Sequence, residues 1–274
     1  MIQDILPQVF YNNYYSRVPV DNDFILIYTG NQMYFKKEMD TLKFPRYSDI
    51  KDCLNDVIYL FSVDKHGFYL SLDYKEEIEQ KFTAENISIF REYKPSFMAF
   101  AGITGSQIYR WYSSNKFCGK CGRPTTHSQK ERALLCNDCN HIIYPKISPA
   151  VIVAVYDGDK LLLSRNAHGD YKRYALIAGY VEIGETLEEA VKREIMEEVG
   201  LKVKNIKYYK NQPWSFSDTL LVGFTAELDG SNNITLDTNE LAEALWVERE
   251  EIPEDDIHIS LTRELMEAFR NHKF

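Results

Sequence analysis

GYVEIGETLEEAVKREIMEEVGL, residues Gly179 to Leu201, is the stretch from which the rest of the chain can be read. Thr186 has the chemistry of an N-cap, and Glu189 three residues on completes a capping box. Gly200 suits the residue that closes a helix, which leaves about three to four turns between them. On such a helix Glu194, Glu197 and Glu198 stand at i, i+3 and i+4, so their carboxylates share one edge. Leu187, Val191, Ile195 and Val199 form an adjoining apolar stripe that can seat the helix on a core. Three like charges on one edge repel unless something positive lies among them. Hard divalent cations such as Mg²⁺ or Mn²⁺ take oxygen ligands and bridge phosphates. By spacing alone, a solvated acidic face flanked by Arg and Lys fits equally well.

The 274 residues suffice for one large domain or two to three small ones, and 45% apolar residues suffice for a core. A net charge of −9 gives the whole chain no general attraction for nucleic acid or anionic membrane. A phosphate-bearing substrate would therefore have to be drawn by metal ions and a local basic group. No apolar run reaches the roughly 18–20 residues of a membrane span. Asp4 stands where a signal peptide would be basic, and the C-terminal Asn-His-Lys-Phe is no peroxisomal address, so a soluble cytoplasmic protein is expected.

Residues 1–112 alternate short β-like runs, such as Phe24 to Tyr28, Val57 to Phe61 and Gly67 to Ser71, with polar turns. They read as a small mixed α+β domain, mostly of antiparallel strands. Pro95 to Tyr112 reads as a helix, although Gly102 and Gly105 weaken the pattern. Residues 113–147 hold Cys118-Gly-Lys-Cys121 and, after a gap of fourteen, Cys136-Asn-Asp-Cys139. Paired C-x₂-C knuckles present four thiolates to a tetrahedral Zn²⁺, with no position left for water, so this zinc has a folding role. His127 and His141 read as surface residues, and Cys53 as a small buried apolar residue. Residues 148–274 carry strands at Ala150 to Tyr156, Lys160 to Ser164, Tyr174 to Ala178, Val203 to Tyr209, Thr219 to Leu228 and Glu243 to Val247. A closing helix spans Ile259 to Asn271, and the acidic tract Glu248 to Asp256 reads as a solvated loop. Helices on both faces of such a sheet make an α/β sandwich.

The 179–201 stretch resembles the Nudix box, GX₅EX₇REUXEEXGU with U a bulky aliphatic residue, at every specified position. Asn211-Gln212-Pro213-Trp214-Ser215-Phe216-Ser217-Asp218-Thr219 resembles the SQPWPFPxS signature of the NADH/NAD⁺ diphosphatase family within the Nudix superfamily. Ser215 and Ser217 replace its two prolines, Asn211 its first Ser, and Thr219 its last. Losing the prolines frees two φ angles and makes the segment more flexible. With the ribbon and the Tyr144-Pro-Lys-Ile-Ser-Pro149 link, the resemblance covers most of residues 89–274 and is loose before that. It implies a Nudix α/β/α sandwich behind a four-Cys zinc ribbon and a small N-terminal domain.

The resemblance also implies metal-dependent hydrolysis of the diphosphate bond of NADH or NAD⁺, giving NMNH or NMN plus AMP. Glu194, Glu197 and Glu198, with Glu240 and the carbonyl of Ala178, are the implied Mg²⁺ or Mn²⁺ ligands; Glu198 is favoured as base and Glu240 is favoured over Glu243. Glu185 and Arg193 make an internal ion pair. Tyr180, Trp214 and Phe216 offer flat surfaces to the rings, and Gln212 and Thr219 offer hydrogen bonds from a loop. By the same resemblance, Tyr144 would be a substrate contact supplied across a homodimer, Thr262 sits where the family has Ala, and Arg91 aligns with a nucleotide-side Arg of the family. Removal of NAD caps from RNA, and hydrolysis of ADP-ribose or dinucleoside polyphosphates, are the alternatives in the same class. A zinc-ribbon binding module with a silent catalytic domain is the alternative outside it.

Overall fold

Alternation along the first hundred residues produces a seven-stranded sheet. In the computed structural model, residues 1–39, 41–168, 173–254 and 258–274 are described. They divide into two units: Ile2–Lys146 with Ser215–Ser217, and Met1, Ile147–Trp214 and Asp218–Phe274.

In the first unit the strands are β1 (Phe10–Tyr11), β2 (Phe24–Thr29), β3 (Gln32–Glu38), β4 (Thr41–Lys43), β5 (Ile58–Val63), β6 (His66–Ser71) and β7 (Thr83–Asn86). Their order is β1-β5-β6-β2-β3-β4, with β7 also on β3. The expectation of mostly antiparallel pairing holds at the flanks, whereas β2 and β6 at the centre run parallel. Both are buried almost end to end, as a parallel pair requires. Short helices α1 (Tyr47–Ile50) and α2 (Glu77–Lys81) contribute Ile50 and Ile78 to the core around Ile25, Ile27 and Tyr69.

Helix α3 runs unbroken through Ser96–Ser114, past the two glycines that weaken its pattern. Both are required by close approach: a Cβ on Gly102 would come within 2.3 Å of the Phe90 ring, and one on Gly105 within 2.3 Å of Leu26. The ribbon strands β8 (Thr126–His127), β9 (Leu134–Leu135) and β10 (Ile142–Ile143) form a three-stranded antiparallel sheet in the same unit. Tyr14 donates a 2.8 Å hydrogen bond to the Ser128 carbonyl, and Arg132 bonds Asn12 and the Leu60 carbonyl. His127 is exposed, as expected of a surface residue, and one face of its ring stacks on Tyr112 of α3 at 4.9 Å. The ribbon and the N-terminal sheet thus pack together within one unit.

In the second unit, β11 (Ser148–Asp157) is the axis of a six-stranded sheet. The remaining elements are β12 (Lys160–Asn166), β13 (Ile177–Tyr180), α4 (Leu187–Val199), β14 (Val203–Trp214), β15 (Thr219–Leu228), β16 (Leu241–Glu248) and α5 (Leu261–Arg270). The order is β14-β15-β11-β12-β16, with β13 also on β11 and β15 parallel to it. Side chains alternate across β11. Val151, Val153 and Val155 pack with Val191, Ile195 and Val199 of α4, while Ile152 and Ala154 pack with Leu261, Leu265 and Phe269 of α5. One strand therefore seats both helices and generates the α/β/α sandwich. In the acidic tract, Glu248 ends β16 and Arg249–Glu251 forms a 3₁₀ turn. Arg249 is buried there, on Asp159 at 2.9 Å and over the Phe269 ring at 3.8 Å, whereas Glu248, Glu250, Glu251 and Glu254 are exposed, so the tract is solvated at its carboxylates but ordered rather than a plain loop. Asp255 and Asp256 lie outside the described residues.

Candidate active site

The acidic edge is built by the two ends of α4. At its start, the Thr186 hydroxyl accepts from the Glu189 amide (3.2 Å) and the Glu189 carboxylate accepts from the Thr186 amide (2.8 Å). At its end, Gly200 takes φ +67°, a left-handed conformation costly for other residues. The chain then returns to cover that end, where the Asp237 and Thr235 amides donate to the Glu198 and Val199 carbonyls at 2.9 Å. This loop carries Glu240, whose own carbonyl accepts from Ala167.

Glu194 and Glu198 are only 8% and 7% exposed, while Glu197 and Glu240 are open to solvent. The Glu194 carboxyl group lies against the α-carbon of Gly179, where a Cβ would stand 1.9 Å from its carboxyl carbon. The first glycine of the box is therefore the floor on which Glu194 rests. Arg193 is the hub of the loop: its guanidinium donates to both oxygens of Glu185 (2.8 and 3.0 Å) and to the Tyr180 carbonyl (2.9 Å). It also donates to Glu194 (2.8 Å) and Glu197 (3.0 Å), a wider role than the pairing with Glu185 alone. Its hydrogen bond, with that of the Glu182 amide, holds the Glu185 carboxyl below the usual range.

Burial, reinforced by Glu194, Glu240, Asp237 and Glu197, pushes the Glu198 carboxyl up to about 8. Burial also raises Glu194, against the pull of Arg193. Mutual repulsion in an all-oxygen donor set is the condition that a hard divalent cation relieves. The residues present fit such an ion. Their carboxylates are not gathered in a closed shell, since Glu194 and Glu197 are held by Arg193. Glu243 is engaged elsewhere, by Arg165 at 2.8 Å and Tyr174 at 3.1 Å. Ala178 lies on β13, paired with Ile152, immediately before Gly179.

The segment expected as a substrate loop is largely strand. β14 continues through Gln212, Pro213 and Trp214, and β15 resumes at Thr219, leaving Ser215 to Asp218 as the turn. Long cross-strand pairing with Leu220 to Val222 carries the strand that far. Gln212, expected to bond substrate, is wholly buried. Its amide donates to the Ile259 carbonyl (2.8 Å) and accepts from the Leu261 amide (2.6 Å), which brackets the start of α5. Thr262 lies in the first turn of that helix. Tyr180 is half exposed, with its hydroxyl 3.5 Å from that of Thr219. In the first unit, exposed Tyr144 donates to Glu131 at 3.1 Å, and Arg91 stands 4.4 Å over the Phe216 ring.

The four cysteines form the set, among the described residues, whose ligand atoms all lie within 4.8 Å of one another. Each knuckle turns through a left-handed residue, Gly122 at φ +73° and Asn140 at φ +57°. Backbone amides donate back to the first cysteine of each pair, from Gly122 to Cys118 and from Asn140 to Cys136, at 2.8 Å. Four sulfurs in this arrangement suit tetrahedral zinc and leave no position for water.

Residues 146–269 match the NUDIX domain family, and residues 113–144 match the NADH pyrophosphatase zinc ribbon domain. The chain therefore holds one segment that matches the NUDIX domain and another that matches the zinc ribbon domain of NADH pyrophosphatases. A curated relative from Salmonella heidelberg, named NAD-capped RNA hydrolase NudC, is 46% identical over 149 residues, which are 54% of this chain and 58% of that protein. A Citrobacter koseri protein of the same name is 45% identical over the same shares. The chain thus spans little more than half the length of these relatives. A Nudix hydrolase structure from Nitrosomonas europaea shares the fold at a TM-score of 0.50 and 23% identity, over 57% of this chain and 90% of that one. Among the described residues, no helix is long and apolar enough to cross a membrane.

Sequence reading did not find Asp237, which adds to the field at Glu198, or the reach of Arg193 beyond Glu185. Both act through contacts that spacing along the chain does not encode.

Proposed function

We propose that this chain hydrolyses the diphosphate bond of NADH or NAD⁺, releasing AMP and NMNH or NMN. The observation that carries this is the pair of buried carboxylates, Glu194 and Glu198, on one edge of α4, in a chain that also has the zinc ribbon and the QPWSF segment. Glu194, Glu197, Glu198, Glu240 and the Ala178 carbonyl would hold a divalent cation, Mg²⁺ or Mn²⁺, which would supply charge neutralisation of the phosphates and Lewis-acid activation of water. Glu198 accepts the proton of the attacking water, whose oxygen bonds to phosphorus as the bridging P–O bond breaks. Arg193 holds Glu194 and the loop through Glu185 in place. Tyr180, Trp214 and Phe216, with Pro213, Ser215, Ser217, Asp218 and Thr219 around them, bind the rings and riboses, as do Tyr144, Arg91 and the start of α5 at Thr262. Gln212 acts indirectly, by holding that start.

Purified protein with Mn²⁺ should release AMP from NADH, and Glu198→Gln should lose this activity while keeping its circular dichroism spectrum. Equal activity in the variant would remove Glu198 from the mechanism. Comparing kcat/KM for NADH, ADP-ribose and diadenosine polyphosphates tests the substrate.

A second reading is favoured by the name that the curated relatives carry: the same bond broken at the 5′ end of an NAD-capped RNA. Digestion of capped against triphosphate RNA tests it. A homodimer in the cytoplasm is part of the proposal, and sedimentation of the zinc-loaded protein tests the assembly.

A further inference from the structure

We propose that Arg110 is a positioning residue for the Ser215–Ser217 turn and supplies the rigidity that prolines would give there; this rests on the diphosphatase reading above. Ser215 and Ser217 leave two φ angles free where the signature has fixed ones. Yet the turn is not loosely held. Ser215 is 5% exposed, and its carbonyl accepts a hydrogen bond from the Arg110 guanidinium. That guanidinium is itself anchored, one helical turn back on α3, by the Ser106 hydroxyl at 3.1 Å. Ser106 is buried and donates to the Ile103 carbonyl at 2.8 Å, so the anchor is part of the helix. The next residue, Phe216, lies under Arg91 at 4.4 Å, within the range of a cation–π contact. Asp218 closes the turn at φ +57°, and its carbonyl accepts from the Ser148 amide at 2.8 Å. A carbonyl, a ring and a left-handed residue are thus fixed in succession. Arg is suited to the first task because its planar fork loses little freedom per hydrogen bond formed. Its effect on the reaction passes through the backbone of the turn.

The test is a set of three proteins: Arg110→Gln, Ser215→Pro with Ser217→Pro, and all three changes combined. Amide hydrogen exchange at Phe216 and Asp218 should rise roughly 10-fold in Arg110→Gln, the order of one lost charged hydrogen bond. It should return towards the parent value in the combined variant. In NADH hydrolysis, Arg110→Gln should raise KM by roughly 5–20-fold with kcat within about 2-fold, and the combined variant should recover it. Arg110→Lys, which keeps the charge and loses the fork, should fall between. Unchanged exchange in Arg110→Gln, in protein with parental thermal stability, overturns the proposal, as does failure of the prolines to restore exchange. Lack of NADH hydrolysis in every protein, the parent included, with exchange behaving as stated would instead overturn the substrate reading and leave the positioning role standing.

Discussion

Gly179 and Glu194 are fifteen residues apart and depend on each other sterically, because the carboxyl group occupies the space of the absent side chain. Gly179→Ala should displace Glu194 and weaken Mn²⁺ binding by roughly 10–100-fold, the range for groups that position metal ligands. Titration of Mn²⁺ by electron paramagnetic resonance, with circular dichroism to confirm the fold, measures this. The glutamates at 194, 197 and 198 were legible because helical periodicity alone puts them on one edge. That Glu194 and Glu198 would be buried and Glu197 exposed was not. Burial depends on where β13 and the 235–240 loop cross the helix, and neither crossing is written in α4 itself.

At the scale of elements, α4 was legible at both ends because capping chemistry is local. The capping box at Thr186 and Glu189 and the left-handed Gly200 mark its limits without tertiary help. β14 was not, since its last residues, Asn211 to Trp214, are polar and proline-bearing and read as loop. Pairing with β15 overrides that preference. The same strand meets α5 through Lys210 and Tyr209, which both bond Glu264. Burial works against ionisation of Glu264, but these partners hold its carboxyl below the ordinary value. A folded value below the unfolded one adds stability above the unfolded value, and that stability is lost as pH falls through the folded one. Lys210→Met should therefore lower Tm by roughly 1–3 °C at pH 7, and the gap should close as pH falls through the depressed folded value of Glu264. A gap of equal size on both sides of that value would assign the effect to packing.

At the scale of the molecule, the ribbon and the N-terminal sheet belong to one unit, joined through Tyr14, His127 and Arg132. Removing zinc with a strong chelator should raise amide exchange across residues 118–143 and at the Ser128 and Leu60 contacts, while α4 stays protected. Exchange confined to the two knuckles would show that the ribbon's fold does not need the metal. The sequence by itself determined the four thiolates, the three box carboxylates and the caps of α4, because each follows from short spacings and backbone geometry. Only the tertiary structure decided which carboxylates are buried, that Gln212 braces α5, and that the ribbon packs against the N-terminal sheet. It also decided that Arg110 reaches a turn more than a hundred residues away. These depend on contacts between distant segments, whose free energies are set by burial and geometry once the chain has closed on itself.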